Sequence, residues 1–399
     1  MSALSSRAPL RDPEGWRPGR GGTLRWLRRD DRGAVATVFG ILLTGGVLLG
    51  MLALVVDVGQ LYAEREELQT GADAAALALA KQCAADPTAC TVTDRVATAT
   101  EYAAAKNARD GAAAVEVCGR VAGVFDLIDC TGSGMEMPDN LTRCLGDPPT
   151  GSRPYLEVRT RTELPDGRTL FPATFAQTLL GNGDYQGATI AACARVSWGA
   201  PKAGIAVTFS RCEWDAATNN GMDFPPAPPY PPNPLPDAGY EVVLKLHDSQ
   251  SGSGCPAEPP GSDLPGGFGW LDDGSSDDCR TSTFDVEPGN AVSDACLSLL
   301  DSLTDSAATA QVLFVPIFDD VSGQGANGEY EINTMEAFVP TGYFFAAGQG
   351  KNKRSWLTNQ HYCAGQERCI YGYFVNVRIT GVEIGELETV GATVISLIG

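Results

Sequence analysis

The feature that most constrains this chain is an uncharged, apolar run of 24 residues, from Gly33 to Val56. At a rise of about 1.5 Å per residue, a helix of this length covers the roughly 30 Å of hydrocarbon in a bilayer. Residues 1–32 carry eight arginines against four acidic residues, and an excess of Lys and Arg marks the cytoplasmic flank of a span. The sequence therefore predicts a cytoplasmic basic tail at residues 1–32, a transmembrane helix at residues 33–56, and an extracellular remainder.

A cleaved secretory signal is the main alternative, because it also joins a basic start to an apolar core. Such a core usually has only about 7 to 15 residues and ends at a small-x-small cleavage site. Here the run closes on Val55, Val56 and Asp57, which favours a retained single-pass anchor in the cell membrane. A twin-arginine export signal at Arg28 and Arg29 is disfavoured by the two aspartates that follow.

Charge and motifs exclude several classes of function. The formal net charge of the chain is −20, and removing the +4 of residues 1–32 leaves −24 on the remainder. Because such a surface repels phosphate backbones, we expect no binding to nucleic acid. The only histidines are His247 and His361, and no phosphate-binding loop, Gly-x-Ser-x-Gly elbow or HExxH motif occurs. We expect no cofactor and no enzymatic activity.

Twelve cysteines all lie beyond the apolar run. An even number on the exported side indicates up to six disulfides in an oxidising compartment. A metal centre would favour Cys-x-x-Cys pairs, and none occurs. Two short intervals favour local loops, Cys83 to Cys90 and Cys363 to Cys369, whereas connectivity in general is left open. The disulfide candidates are Cys83, Cys90, Cys118, Cys130, Cys144, Cys193, Cys212, Cys255, Cys279, Cys296, Cys363 and Cys369.

An acidic, glycine-rich stretch near residue 270 is the weak candidate for a metal site. It holds Asp272, Asp273, Asp277 and Asp278, and carboxylate oxygens are the ligands that calcium prefers. The EF-hand spacing with its closing Glu is absent. The other interpretation is a structural turn tethered by Cys279.

Periodicity predicts a helix followed by a small sheet at residues 57–200. Strong helix formers with apolar residues three, four or seven apart continue the apolar run, so we expect one helix from Ala34 to Gln82. A second helix is predicted at Thr93–Ala108. Two-residue alternation predicts strands at Ala113–Val117, Tyr155–Thr162 and Ala188–Trp198, with a short helix at Phe171–Leu180 between the last two.

A proline-rich connector and a mostly β region follow. Eight of the twelve residues in Pro225–Pro236 are proline, a composition typical of extended segments, and we place a connector at residues 201–239. Residues 240–399 are predicted to form a disulfide-rich extracellular β domain with one helix at Asp294–Leu303. Its strands are predicted at Tyr240–Leu246, Gln311–Phe318, Ala337–Phe345 and Tyr371–Thr380. The predicted fold class is α+β, with a transmembrane helix that continues into a long helix, a small sheet, and a mostly β disulfide-rich C-terminal domain.

The N-terminal motifs resemble those of TadE/TadG-like proteins of the Flp (tight adherence) pilus assembly system. The resemblance rests on Arg32-Gly33-x-x-Ala36, Asp57-x-Gly59-x-x-Tyr62 and Leu68-Gln69-x-x-Ala72-Asp73-Ala74-Ala75-Ala76-Leu77 in that order, over about 50 residues. It implies a membrane-anchored, outward-facing accessory or minor-pilin-like subunit, whose transmembrane helix continues into a pilin-like long helix and which contacts other pilus-assembly membrane proteins or pilins. Prepilins of this group carry Glu five residues after a cleavage-site glycine, whereas Val38 stands there, which favours the intact anchored form.

A second function fits the same sequence. The chain could be a membrane-anchored extracellular binding module, such as a calcium-dependent adhesin or a ligand sensor that uses the acidic loop at Asp272 and Asp273. Many TadG-like proteins carry a von Willebrand A-type metal motif, Asp-x-Ser-x-Ser. After Asp248 this chain has Gln250 and Gly252 in place of the two serines, so that motif is absent.

Overall fold

The computed structural model describes residues 31–130, 144, 146–172, 175, 187–246, 255, 267–271, 278–282, 292–322, 329–345, 352–365 and 367–399, with the backbone only at residues 31–34, 49, 321, 322 and 329. The chain divides into two compact units, Met1–Val56 and Asp57–Gly399. The described helices are α1 (Asp31–Thr44), α2 (Val47–Ala85), α3 (Val92–Thr100), α4 (Arg211–Thr218) and α5 (Asp294–Leu303). The described strands are β1 (Ala114–Arg120), β2 (Tyr155–Arg161), β3 (Ala191–Gly199), β4 (Gly204–Ile205), β5 (Val207–Ser210), β6 (Val242–Lys245), β7 (Phe268–Trp270), β8 (Arg280–Thr281), β9 (Leu313–Ser322), β10 (Glu329–Phe344), β11 (Cys369–Val375), β12 (Val377–Thr380) and β13 (Ala392–Leu397).

In the first unit, the helix formed by the apolar run is interrupted at two adjacent glycines, Gly45 and Gly46. α1 ends at Thr44 and α2 begins at Val47, because Gly46 adopts a left-handed φ of 71°. Glycine takes this conformation at little cost since it has no Cβ. The expectation of one uninterrupted helix from Ala34 to Gln82 was therefore wrong. Within the described part of the chain, no helix has both the length and the apolar character that a membrane crossing requires.

In the second unit, α2 packs on a five-stranded sheet with the order β1-β2-β3-β13-β12. Neighbouring strands are antiparallel except β12 and β13, which are parallel. Small and apolar side chains of the helix form a buried core with one face of the sheet, and its main members are Ala72, Ala75, Ala76, Leu79 and Ala80 from α2 and Leu156, Val158, Ala194, Val196, Trp198 and Ile395 from the strands. The predicted helix-plus-sheet architecture is present.

The second helix differs slightly from its prediction at Thr93–Ala108. α3 covers its first part, and a π-helical turn at Glu101–Ala105 continues it. Most of the helix predicted at Phe171–Leu180 lies outside the described residues. α5 has the same bounds as the predicted helix Asp294–Leu303, with Ser293 as its N-cap.

A six-stranded sheet with the order β6-β11-β10-β9-β5-β7 forms the β-rich C-terminal region. Its described pairs are antiparallel apart from β5 and β9, which run parallel. Aromatic rings fill its core: Phe209 lies edge-on to Phe338 at 4.8 Å and to Phe374 at 5.9 Å between ring centroids. The coarse fold class, α+β with a long N-terminal helix and a disulfide-bonded β-rich region, is confirmed.

The two sheets contain strands from both sides of the domain boundaries predicted at residues 200 and 240. β12 and β13 come from the predicted C-terminal domain but complete the first sheet, and β5 comes from the predicted connector but belongs to the second. The proline-rich segment packs through Tyr230, which is buried with its hydroxyl 2.9 Å from that of Tyr373. The sheets depart from the predicted boundaries because main-chain pairing joins segments that are far apart in sequence. Local patterns do not encode such pairing.

All twelve cysteines are paired, which supports the prediction of disulfide bonds. The two local pairs are Cys83–Cys90 and Cys363–Cys369. The longer ones are Cys118–Cys130, Cys144–Cys193, Cys212–Cys255 and Cys279–Cys296.

Candidate functional site

Polar contacts fix α2 on the first sheet within the segment that carries the Leu-Gln-x-x-Ala-Asp motif. The side-chain amide of Gln69 donates to the carbonyl oxygen of Cys193 in β3 at 3.0 Å and to the carboxylate of Asp73 at 2.9 Å. The hydroxyl of Thr160 in β2 donates to the carbonyl oxygen of Leu68 at 3.1 Å. These bonds set the rotation and the register of the helix against the strands.

Gly71 is the position where α2 comes closest to another backbone. A Cβ built there would lie 2.8 Å from the carbonyl oxygen of Ala103, in the π-helical turn after α3. Since protein interiors are close-packed, any side chain at this position would push the two segments apart. Gly59, in the same helix, has open space around its Cβ position.

Asp57 of the Asp-x-Gly-x-x-Tyr motif has a partner inside the second unit. Its side chain is buried, and both carboxylate oxygens accept the backbone N–H of Phe175 at 3.1 Å. Tyr62 of the same motif is 68% exposed. The motif thus contains one residue that holds the domain together and one that faces outward.

The first unit carries a run of exposed apolar side chains. Their exposed fractions are large, 67% for Val35, 63% for Ile41 and for Met51, and 66% for Val55. The others in the run are Val38, Phe39, Leu43, Val47, Leu52 and Leu54. Large exposed apolar patches are typical of surfaces that contact a protein or a membrane.

Of the four sequence-predicted metal candidates, Asp278 is the one that belongs to the described residues. Asp272, Asp273 and Asp277 lie outside the described residues. Asp278 is exposed and lies 3.7 Å from Arg280, with which it forms a surface ion pair. A calcium site in this loop stays a prediction.

Two groups of potential metal ligands share Glu157, one with Cys118 and Cys130 and the other with Cys144 and Cys193. The sulfur atoms of both groups are bonded in disulfides, so they are not the thiolates that bind metals. The buried Glu157 carboxylate instead pairs with two arginines on the same sheet face, Arg195 and Arg159, each at 2.8 Å. This cluster is structural, because a buried charge is retained only where opposite charges and hydrogen bonds compensate it.

A second carboxylate site, at the half-buried Glu241, joins the residue before β6 to the segment at residues 352–362. The oxygens of Glu241 accept hydroxyl hydrogen bonds from Thr341, Ser355, Thr358 and Tyr362. Burial, together with the bond to this carboxylate, raises the pKa of the Tyr362 phenol. The carboxylate therefore holds four hydroxyls in fixed positions.

A third carboxylate site lies at Glu336 of β10, which is fully buried. Its oxygens accept the backbone N–H groups of Val390 at 2.9 Å and Gly391 at 2.6 Å. Burial raises the pKa of this carboxyl to about 7, while the two backbone hydrogen bonds and the charge of Arg211 act in the opposite direction.

A cleft of about 690 Å³ lies between the first sheet and the segment that joins β12 to β13. Lys202 forms an ion pair with Glu383 at 2.6 Å, and Arg153 donates to the carbonyl oxygen of Gly385 at 3.0 Å. The lining of the cleft includes serines, acidic and basic residues, and aliphatic side chains. His361 is elsewhere, exposed and edge-on to the ring of Phe344.

A comparison with known protein families finds a match for the N-terminal segment. Residues 33–82 match the putative Flp pilus-assembly TadE/G-like family. The resemblance predicted from the N-terminal motifs is confirmed. The TadE/G-like segment contains the exposed apolar run, the Asp57 contact and the docked part of α2, about an eighth of the chain. The match supports a role in Flp pilus assembly and an association with the cell envelope. No curated protein and no solved structure matches the chain.

Sequence reasoning did not identify Glu157, Glu241 or Glu336. Each is one of 49 acidic residues. The partners of Glu241 lie at least 100 residues away along the chain, and those of Glu336 lie 54 and 55 residues away. A weak signal exists for Glu157, since charged residues alternate with apolar ones in a strand, but that pattern usually places the charges on a solvated face.

Proposed function

We propose that this chain is a membrane-anchored structural or accessory subunit of Flp pilus assembly that acts through protein–protein contacts and not as an enzyme. The observation that carries the proposal is the family match over residues 33–82, because the matched segment contains the uncharged run with exposed apolar side chains. The proposed partners are other pilus-assembly membrane proteins or pilins. Residues 33–56 contact the lipid bilayer.

The topology is a single crossing at residues 33–56 with the N-terminus in the cytoplasm and residues 57–399 outside. The arginine excess of residues 1–32 supports the orientation. The disulfides support it independently, because paired cysteines persist in oxidising compartments and all of them lie beyond the apolar run.

The energetics of exposure support an anchoring role for the apolar run. Burying one Leu, Ile, Val or Met side chain is worth about 1.5–3 kcal/mol, so a run of such side chains in water is costly. Lipid or a neighbouring helix removes that cost.

The hydrogen bonds and ion pairs of three carboxylates support a non-enzymatic role. Glu157 is paired with arginines, Glu241 with hydroxyls and Glu336 with backbone N–H groups. Groups held in this way stabilise the domain and are not available to act as a general base, which needs access to a substrate proton.

The first test is membrane attachment of the full-length protein in its native cells. We expect the protein to stay in the membrane pellet after alkaline carbonate extraction, and external protease to reach residues 57–399 only. A variant with Ile41→Arg and Met51→Arg should leave the pellet, since arginine within a span costs about 2.5–3.5 kcal/mol. The matched control, Val58→Arg with Tyr62→Arg, places two exposed arginines beyond the run and should remain in the pellet. Carbonate release of the unaltered protein would overturn the anchor.

The second test is piliation. Cells that lack the chain should fail to display Flp pili, and the unaltered gene should restore them whereas the Ile41→Arg, Met51→Arg variant should not. Normal numbers of pili in the deletion strain would refute the role in assembly, whatever the result of fractionation.

A further inference from the structure

Four apolar side chains of the second unit are exposed around one disulfide-closed loop. Phe125, in the loop at residues 118–130, is 99% exposed, and Ile128 of the same loop is 57% exposed. Val92 and Val96 of α3 are 51% and 54% exposed. The two valines are four residues apart, so they lie on the same face of the helix. We call these four side chains the Phe125 patch.

An ion pair joins the loop to the helix. The guanidinium of Arg95, which is buried in α3, lies 3.2 Å from the carboxylate of Asp126 and donates to its backbone carbonyl oxygen at 3.3 Å. The second oxygen of this carboxylate accepts the backbone N–H of Val92 at 3.1 Å. Because Asp126 directly follows Phe125, these contacts place Phe125 beside the first turn of α3. The patch is therefore one surface built from two segments.

The loop that presents Phe125 has a fixed shape. A disulfide between Cys118 and Cys130 closes it, and both of these cysteines are buried. Inside the closed loop, the backbone N–H of Gly119 donates to the carbonyl oxygen of Ile128 at 2.9 Å. A side chain that is already held in place loses less freedom when a partner binds it, which favours association.

Folding of the domain does not account for the exposed side chains. Val124 and Leu127 of the loop pack against the core of the first sheet, whereas Phe125, between them in sequence, lies in solvent. Valine is a poorer helix former than alanine, so the exposed Val92 and Val96 do not stabilise α3. Clustered apolar side chains that leave the core unserved are typical of an interaction site.

The charges around the patch indicate the kind of partner. Three exposed aspartates belong to its two segments, Asp94, Asp126 and Asp129. The cation beside them, Arg95, is buried and paired with Asp126. Lysine or arginine on a partner would complement these carboxylates. A second copy of this chain, with its formal net charge of −20, and an anionic lipid surface would both bring further negative charge.

We propose that the Phe125 patch is a docking site for another protein, which takes the Phe125 ring into an apolar pocket rimmed by lysine or arginine. The inference rests on the proposed function for the place where the partner is met, the outer side of the membrane. Aromatic side chains are enriched at the centres of protein interfaces, and a few such anchors carry most of the binding energy. The aspartates around the ring fix its orientation and exclude acidic partners.

Photo-crosslinking of the full-length protein in its native cells tests the docking site. p-Benzoylphenylalanine replaces Val96 as the reporter, and mass spectrometry identifies the crosslinked peptide. We expect a peptide from another protein, with lysine or arginine close to the crosslinked residue. Phe125→Ala should lower the crosslink yield on the order of tenfold, the loss typical of an interface anchor. Asp129→Lys should lower it as well, because it reverses a charge that faces the basic rim.

Met222→Ala is the matched control, since Met222 follows α4, lies outside the patch and is 75% exposed. It should leave the crosslink yield unchanged. Thermal unfolding of Phe125→Ala should match that of the unaltered protein, because the ring lies in solvent, so a lower yield reports binding and not folding. A lower unfolding midpoint in Phe125→Ala would show that the ring packs within the domain and would overturn the proposal.

Three other outcomes would also overturn the docking site: crosslinks to a second copy or to lipid, no crosslink at all, or equal yields with and without Phe125→Ala. The proposed function fails separately. Normal pili in the deletion strain together with a crosslink that depends on Phe125 would refute the role in pilus assembly and keep the docking site. A deletion strain without pili, in which the Phe125→Ala gene restores them and no crosslink forms, would do the reverse.

Discussion

Gln69 of α2 donates a hydrogen bond to the carbonyl oxygen of Cys193 in β3, 3.0 Å away. Cys193 also forms the disulfide to Cys144, on the face of the sheet opposite the helix. The helix, a central strand and Cys144 therefore meet at one strand residue. The glutamine of the TadE/G-like motif has a structural role, which is to fix α2 on this sheet.

Replacing Gln69 with alanine should lower the free energy of unfolding by about 1 kcal/mol, since it removes a partly buried hydrogen bond and leaves a strand carbonyl without that donor. The control is Thr70→Ala, because Thr70 is exposed in the next position of α2. Guanidinium unfolding of the full-length protein in detergent measures both. Equal stability of the two variants would show that the Gln69 bond contributes nothing.

Two glycines of α2 provide a matched pair. Gly71→Ala should destabilise the domain by about 1–3 kcal/mol, because the new methyl group meets the carbonyl of Ala103. Gly59→Ala should instead stabilise it by up to about 1 kcal/mol, since alanine is the better helix former and the space there is open. Thermal unfolding of both variants gives the sign of each effect. A stabilising Gly71→Ala would contradict the close approach.

The buried charge cluster predicts a large effect for one arginine. Arg195→Met should cost about 3 kcal/mol or more, because the Glu157 carboxylate loses one of its two cations inside the domain. Arg168→Met is the control, since Arg168 and Asp166 form an exposed pair worth about 0–1 kcal/mol. The difference in unfolding free energy between the two variants is the measurement, and a difference near zero would contradict the role of the cluster.

Two disulfides of different span should differ in their contribution to stability. Cys144–Cys193 closes a separation of 49 residues and Cys83–Cys90 closes one of 7. In the chain-entropy description, replacing both cysteines of the longer pair by alanine should cost about 1.5 kcal/mol more than replacing those of the shorter pair. All four sulfurs are buried, so the packing loss is comparable. Denaturant midpoints at constant m-value test the order, and the reverse order would reject the entropic account for this protein.

Local sequence predicted several elements well. The helix at Asp294–Leu303 has its Ser cap and its acidic first turn in the sequence, and the structure gives the same bounds. The buried residues of α2 follow the spacing of three and four that periodicity indicates. Local pattern did not predict the interruption at Gly46, because a glycine in an apolar run is compatible with a continued helix as well as with a break.

The amino-acid sequence alone determined the apolar run, the charge asymmetry around it, the cysteines that form disulfides and the TadE/G-like motif, because each of these depends on residue types at short spacing. Tertiary structure alone decided that β12 and β13 complete the first sheet, that Tyr230 ties the proline-rich segment to the second, and that Glu336 reaches Val390 and Gly391. These contacts join residues separated by tens to hundreds of positions. They depend on which buried polar groups find partners when the whole chain packs, and no local pattern contains that information.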